Sequence, residues 1–381
     1  MLNNLKEFLR QNRINIRGWS TRRELLIIES DDWGSIRMPD KTTFNKLLSG
    51  GVRVDKCPLC TYDSIESEDD LKKLYEVLYE FVDPSGNHPV FTANCVVANP
   101  DFVKIRETNF KEYHYESLSV TLKSYPRRAS VLALWGEGIR HRLFYPQFHG
   151  REHLNVSRWM KALRSRWPET LFAFNLGFYG VSTDITKEQR KSYLEAFAAD
   201  SSEEEIIIGE TIEEGLKMFA TLTGYAPKSF IAPNYVWSSG IEEKFSIHNV
   251  NYIQGQRIQF SPSRNKGGYS RISHFVGDRN YFEQIYLVRN CYFEPSIYPT
   301  IDSVDRCLAQ ISNAFQWNRP AIITSHRVNY IGSLDNSNRE KNLDALKLLL
   351  TRVQNEWPDV EFLTSDELGD VINTDFKKNG A

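Results

Sequence analysis

Two acidic residues stand side by side, Asp31 and Asp32, at the end of the apolar run Leu25-Leu26-Ile27-Ile28. A short aliphatic run reads as a buried strand. The C-terminal ends of parallel strands are where α/β folds place their chemistry. Adjacent carboxylates there repel each other unless something compensates, and a divalent cation does so because it favours the ionised form. Adjacency also permits a division of labour, one acid ligating the cation while its neighbour acts as a base. The plain alternative is a solvated acidic turn before Trp33-Gly34.

Three further segments carry candidate chemistry. In Pro146-Gln-Phe-His149-Gly-Arg-Glu-His153 two histidines lie four residues apart. On a helix that spacing puts both imidazoles on one face, where they can converge on one metal. The run Ile322-Ile-Thr-Ser-His326 ends a strand pattern in a single histidine, which can serve as a general acid near neutral pH. In Phe230-Ile-Ala-Pro233-Asn234-Tyr235-Val-Trp237 a strand pattern runs into a sharp turn, whose backbone N–H groups could bind an oxyanion. The fifth feature, Cys57-Pro-Leu-Cys60, stands without a second pair of ligands and reads as two loop thiols.

Strand-like runs that could hold these residues recur at 25–28, 90–93, 131–134, 171–174, 206–208, 229–232, 252–253, 286–288, 321–324 and 360–363. Helical spacing appears over 69–81, 186–199, 211–223, 303–317 and 338–357. Alternation of the two predicts a parallel sheet with crossover helices, and seven or eight such units predict an α/β fold of the distorted (β/α)7 barrel type. We expect one barrel domain over residues 1–381, with an amphipathic N-terminal helix at 1–20 and insertions at 100–145 and 254–285.

Composition narrows the function. With 41% hydrophobic and 25% charged residues a large core is available, and a net charge of −2 gives no footprint for nucleic acid. No run is long and apolar enough to span a bilayer. The first residues lack an apolar signal core, and five cysteines are an odd count, so we expect reduced thiols in a cytoplasmic setting. The 13% aromatic content fits a large core or sugar-stacking surfaces.

Taken in order, these motifs resemble the polysaccharide deacetylase family, the NodB-homology carbohydrate esterases of family 4, over roughly residues 22–330. Glu29-Ser-Asp31-Asp32-Trp33-Gly34 stands for Thr-Phe-Asp-Asp-Gly, His149-Gly-Arg-Glu-His153 for His-Ser/Thr-x-x-His, Ile231-Ala-Pro233-Asn234-Tyr235 for Arg-x-Pro-Tyr, and Thr324-Ser-His326 for Leu-x-His. The resemblance implies Asp31 as catalytic base, His326 as catalytic acid, and Asp32, His149 and His153 as metal ligands. The metal it implies is a divalent cation, zinc first, with cobalt, nickel or manganese able to use the same ligands. It implies an N-acetylated sugar as substrate, held near Trp33, Pro233, Asn234 and Tyr235, and the lack of an apolar signal core points to a glycan precursor rather than finished wall polymer. Trp33, Tyr235, Trp237 and Tyr330 are candidates to stack on a sugar face. The sequence departs from the pattern at Trp33 and at Ile231, where the family has an arginine that pairs with the base; Arg327, Arg151 or Arg37 would have to substitute. The fourth motif has two candidates, Asp302-Ser-Val-Asp305 and Phe293-Glu294. Two other readings stay open: a glycoside hydrolase on a related seven-stranded barrel, using Asp31 with Glu294 or Asp302, and a non-catalytic glycan-binding homologue.

Overall fold

The computed structural model describes residues 12–263 and 268–379; of the expected N-terminal helix, residues 1–11 lie outside the described residues. Six strands pair side by side and parallel in the order β7 (Tyr252–Gly255), β6 (Ser229–Ile231), β5 (Phe144–Phe148), β2 (Phe91–Cys95), β1 (Leu25–Trp33) and β12 (Ala321–His326). The seventh is a kinked strand in two parts, β10 (Ile285–Val288) on β7 and β11 (Cys291–Tyr292) on β12. Its kink spans both neighbours. Arg289 N donates to Gly255 O at 2.9 Å, and Asn290 N donates to Ile322 O at 3.1 Å. The sheet therefore closes as a seven-stranded barrel. A short parallel strand, β13 (Glu361–Leu363), adds to the first half of β1.

The expected insertions carry secondary structure of their own. The 100–145 segment starts at the end of β3 (Ala98–Pro100), contains its antiparallel partner β4 (Tyr115–Ser117) and includes the helix Val131–Arg140; the 254–285 segment holds the antiparallel pair β8 (Ile258–Pro262) and β9 (Tyr269–Ser273). Among the described residues no helix is long and apolar enough to cross a membrane.

Period-2 alternation sorts each strand into two faces. Leu26, Ile28, Phe91, Ala93, Phe144, Phe230, Ile253 and Ile323 face the helices and form the main core. The opposite faces turn inward. Leu25, Ile27, Tyr252, Ile285, Leu287 and Ile322 fill one end of the barrel together with Leu368 and Ile372 from the helix Ser365–Asn379. Above this apolar plug the interior becomes polar: Glu29, Thr92, Gln147, Ser229, Gln254 and Arg289 are all buried. They are hydrogen-bonded to one another and to that helix, Ser365 Oγ to Glu29 at 2.7 Å and Ser229 Oγ to Asp366 at 2.8 Å. Burial among acidic neighbours pushes Asp366 up to about 7.

Several expected elements change type. The runs at 131–134, 171–174 and 206–208 lie inside the helices Val131–Arg140, Pro168–Asn175 and Ser202–Thr223. The last is fixed by its ends, with Ser201 capping Glu204 N, three glutamates in the first turn and Gly224 closing it at φ 84°. The helix expected at 186–199 is mostly irregular chain. Its carbonyls at Ser192, Glu195 and Ala198 accept from the Arg158 and Asn155 side chains, and only Glu195 O of the three also accepts from the segment's own backbone, at Ala198 N. The strand β5 escapes detection because Pro146 sits inside it.

Candidate metal and acid–base site

The inward ends of β1, β2, β5, β10 and β12 meet above the polar layer. Asp31 and His326 are register partners on neighbouring strands, with His326 Nε2 3.8 Å from Asp31 Oδ2. One residue on, the backbone of Asp32 turns left-handed at φ 78° and the pairing of β1 with β2 shifts. Two adjacent carboxylates thereby separate. Asp31 stays in the barrel mouth, and Asp32 swings towards the segment after β5.

That segment is not the helix its spacing predicts. His149 to His153 follow the strand as a bend, because Gly150 adopts φ 119°, a conformation no helix contains and L side chains rarely adopt. The bend brings the imidazoles together all the same, ring centres 4.9 Å apart. His149 Nε2 lies 3.5 Å and His153 Nε2 3.3 Å from the same oxygen, Asp32 Oδ1. All three side chains are buried, and their donor atoms fall within 4.8 Å of one another.

This donor set fits a divalent cation. Ile231 O at 3.0 Å from His149 Nδ1 fixes that nitrogen as the N–H, which leaves Nε2 as a buried lone pair without a hydrogen-bond partner. The other Asp32 oxygen, Oδ2, accepts from Arg37 Nη2 at 2.8 Å, so Oδ1 is the one free to ligate. Burial alone would raise Asp32, but Arg37 chiefly, with the two histidines, holds it well below the usual carboxylate range. Burial, with Arg37 nearby, pushes His153 down, towards the neutral form a ligand needs. One carboxylate and two imidazoles leave coordination positions open, the mark of a catalytic rather than structural site.

Asp31 is clamped. Arg289 donates to both its oxygens, Nη1 to Oδ2 and Nη2 to Oδ1 at 2.6 Å each, and its Nε binds Glu29 at 2.5 Å. Asn94 Nδ2 adds a third bond at 2.8 Å while also donating to Gln254. Burial opposes ionisation of Asp31, but Arg289, with His326 and His149, outweighs it and lowers the group to about 2. His326 is held from its other side by Glu294, Nδ1 to Oε1 at 2.5 Å, and Asn329 fixes the second Glu294 oxygen at 2.9 Å. Burial would lower His326. Glu294 chiefly, then Asp31 and Asp32, overcome it and raise it to about 9, so the ring is an imidazolium at neutral pH. Its side chain is 22% exposed against 5% for Asp31 and 3% for each ligand histidine, and so forms the open side of the group.

The structure places the other expected residues unevenly. Pro233, Asn234 and Tyr235 form a tight turn with Asn234 at φ 56° and Tyr235 at φ 58°; Asn234 is exposed, and Tyr235 Oη accepts from Arg289 at 3.2 Å. The Tyr235 N–H is bound to Ala232 O, which takes it out of use as an oxyanion donor. Trp33 is corrected. It is fully buried, edge-on to Phe144 at 4.9 Å with its N–H on Ser30, and belongs to the core rather than to a substrate surface. Trp237 and Tyr330 are buried likewise.

None of the three arginines expected to serve the base does so. Arg327 binds Asp63 and Glu66, Arg151 binds Glu152 and Glu214, and Arg37 binds Asp32. The role falls to Arg289, which sequence reasoning missed. Its signal was present: a lone charge ending the apolar run 285–288, the same layout that marks Asp31 and His326. Of the fourth-motif candidates the structure selects Glu294; Asp302 caps the helix Ser303–Gln316.

No family model matches the chain, and no curated protein matches it. Solved structures similar to it include a putative glycoside hydrolase/deacetylase from Parabacteroides distasonis (9% identity, TM-score 0.49, 92% of this chain and 71% of that one). Another is a putative polysaccharide deacetylase from Mycobacterium smegmatis (10% identity, TM-score 0.43, 94% and 93%). A third is a 4-alpha-glucanotransferase from Thermococcus litoralis (8% identity, TM-score 0.43), of whose length the chain spans only 40% against 91% of its own.

Proposed function

We propose that the chain is a metal-dependent deacetylase that removes an acetyl group from an N-acetylated sugar or glycan precursor. The observation that carries this reading is the joint geometry: a buried Asp32-His149-His153 donor set beside an Asp31–His326 pair whose members are held in opposite charge states. Opposite charge states are what a base and an acid acting in one turnover require. A divalent cation held by the three ligands supplies Lewis-acid polarisation of a carbonyl and acidification of a water. Asp31, kept ionised by Arg289, takes the proton of the attacking water. His326 gives its Nε2 proton to the departing nitrogen, and Glu294 stabilises the imidazolium until then. Arg289 and Asn94 keep the Asp31 carboxylate in one orientation throughout. The sugar part of the reading rests on the motif resemblance.

The carboxylates that a glycosidase would need are committed elsewhere: both Glu294 oxygens are bonded, and Asp302 caps a helix. The test is metal analysis of the purified chain beside an Asp32→Ala/His149→Ala variant, followed by acetate release from N-acetyl sugars. One tightly held transition metal in the wild type, lost in the variant, together with acetate release that Asp31→Asn abolishes, is the expected result. A wild type that holds no metal after reconstitution overturns the mechanism.

A further inference from the structure

The Cys57-Pro-Leu-Cys60 motif is not absorbed by the metal and acid–base group, yet it lies beside it. Both cysteines line a cavity of about 380 Å³ whose wall includes Arg37, the residue on Asp32, and Asn234 of the turn beside Arg289. The two thiols are a pair. Both are free, with Cys57 at the N-cap of the short helix Pro58–Tyr62 and Cys60 inside it, where its Sγ donates to Gly180 O at 3.9 Å. Cys57 is half-buried and reachable from the cavity, whereas Cys60 is 3% exposed behind it. Cys95, Cys291 and Cys307 are each fully buried. An accessible thiol three residues before a shielded second thiol, both lining one cavity, is the arrangement of an attacking and a resolving cysteine.

We propose that Cys57 and Cys60 form a reversible thiol-exchange site that reacts with small disulfides entering this cavity. The Cys57 thiolate attacks one sulfur of the disulfide, forming a mixed disulfide and releasing one thiolate. The Cys60 sulfur, losing its proton to solvent, then attacks Cys57 Sγ and expels the second thiol. The product is an internal Cys57–Cys60 disulfide; the small disulfide is reduced by the two electrons that the protein loses. The Cys60 hydrogen bond, and the Arg37 charge more weakly, lower the Cys57 thiol to about 6 against the burial that would raise it; Cys60 moves the other way. In the mixed-disulfide state the adduct occupies the cavity between Arg37 and Asn234. The internal disulfide clears it.

The experiment uses the full chain and glutathione disulfide as probe, read by intact mass and peptide mapping after acid quench. None of its readouts depends on hydrolytic activity, so its outcome is separate from that of the deacetylase reading. The wild type is expected to lose two hydrogens with Cys57 linked to Cys60. Cys60→Ser should accumulate one glutathione adduct on Cys57, and Cys57→Ser neither product. Brief iodoacetamide labelling of the unmodified wild type should alkylate Cys57 at least about tenfold faster than the buried thiols, which must wait for local opening. Wild type left unmodified, an adduct mapped first to Cys60, Cys95, Cys291 or Cys307, or labelling of Cys57 no faster than theirs would each overturn the proposal.

Discussion

Replacing Glu294 by glutamine removes a charge from His326 while keeping an oxygen that can accept from Nδ1. An unperturbed histidine titrates near 6.5, and His326 stands at about 9, with Glu294 the largest of the groups that raise it. Without that carboxylate the ring should fall back towards 6.5. At pH 8 the imidazolium fraction then drops from about 90% to about 3%, an approximately 30-fold loss of the competent acid; at pH 6 the two proteins differ by less than about twofold. Acetate release from an N-acetyl sugar, measured as kcat/KM from pH 5.5 to 9.5, should therefore show a basic limb near 9 in the wild type and near 6.5 in Glu294→Gln. Histidine NMR of the His326 ring reads the same shift without substrate. Stability gives the sign independently. A group whose folded pKa is raised contributes stability fully present below 6.5 and lost as pH rises through about 9. The wild type should lose that increment across this window, and the variant should not. A deficit equal at pH 6 and pH 8, or a ring midpoint left near 9, refutes the assignment of Glu294 as the group that charges His326.

Arg289→Met leaves Glu29 and Asp31 buried without their cation, which should cost about 3–5 kcal/mol in urea unfolding at pH 7. Asp31, lowered to about 2, contributes stability above its unfolded value that is lost as pH falls through 2; the variant lacks this and can protonate its carboxyls, so its deficit should shrink at pH 4, and an undiminished deficit argues against the ion pair. Gly150→Ala asks a Cβ to sit 3.0 Å from Glu152 O at φ 119°; a cost of about 1–3 kcal/mol and weakened metal retention are expected, and wild-type retention would show that the bend tolerates a side chain. Dialysis against a chelator should abolish acetate release and lower Tm, both restored by zinc; hydrolysis that survives it favours the glycosidase reading. Trp33→Phe should lower stability by about 1–3 kcal/mol and leave KM unchanged, whereas a raised KM at unchanged stability would return Trp33 to the substrate surface.

Legibility in the sequence followed the physics of each segment. The strands β1 and β12 stand out because an aliphatic run breaks abruptly into Asp31 or His326. The histidine pair is visible, but its backbone is not: four-residue spacing says helix, and a single left-handed Gly150 makes it a bend that converges the same rings. The polar barrel interior stayed hidden for a different reason. In a short strand, alternation ordinarily puts apolar residues inward and polar ones towards water. In β2, β6 and β7 polar residues take inward positions, with Thr92, Asn94, Ser229 and Gln254 facing in and Phe91, Ala93, Phe230 and Ile253 facing the helices. Composition cannot tell these two cases apart, and only closure of the barrel does.

Closure also explains why the arginine could be missed on the strand where the motif places it and still be present in the site. What Asp31 needs is a guanidinium presented edge-on from inside the barrel, at the layer just above the apolar plug. Any strand whose inward face reaches that layer can supply it. β6 offers Ile231 there, while the β10–β11 strand kinks at the same level to bridge β7 and β12, and the residue at the kink is Arg289. Its main chain closes the barrel on Gly255 while its side chain spans Glu29 and Asp31. The charge that keeps the base ionised is thus tied to the last hydrogen bonds that complete the sheet. Loss of barrel closure and loss of Asp31 ionisation should accordingly be one event, not two.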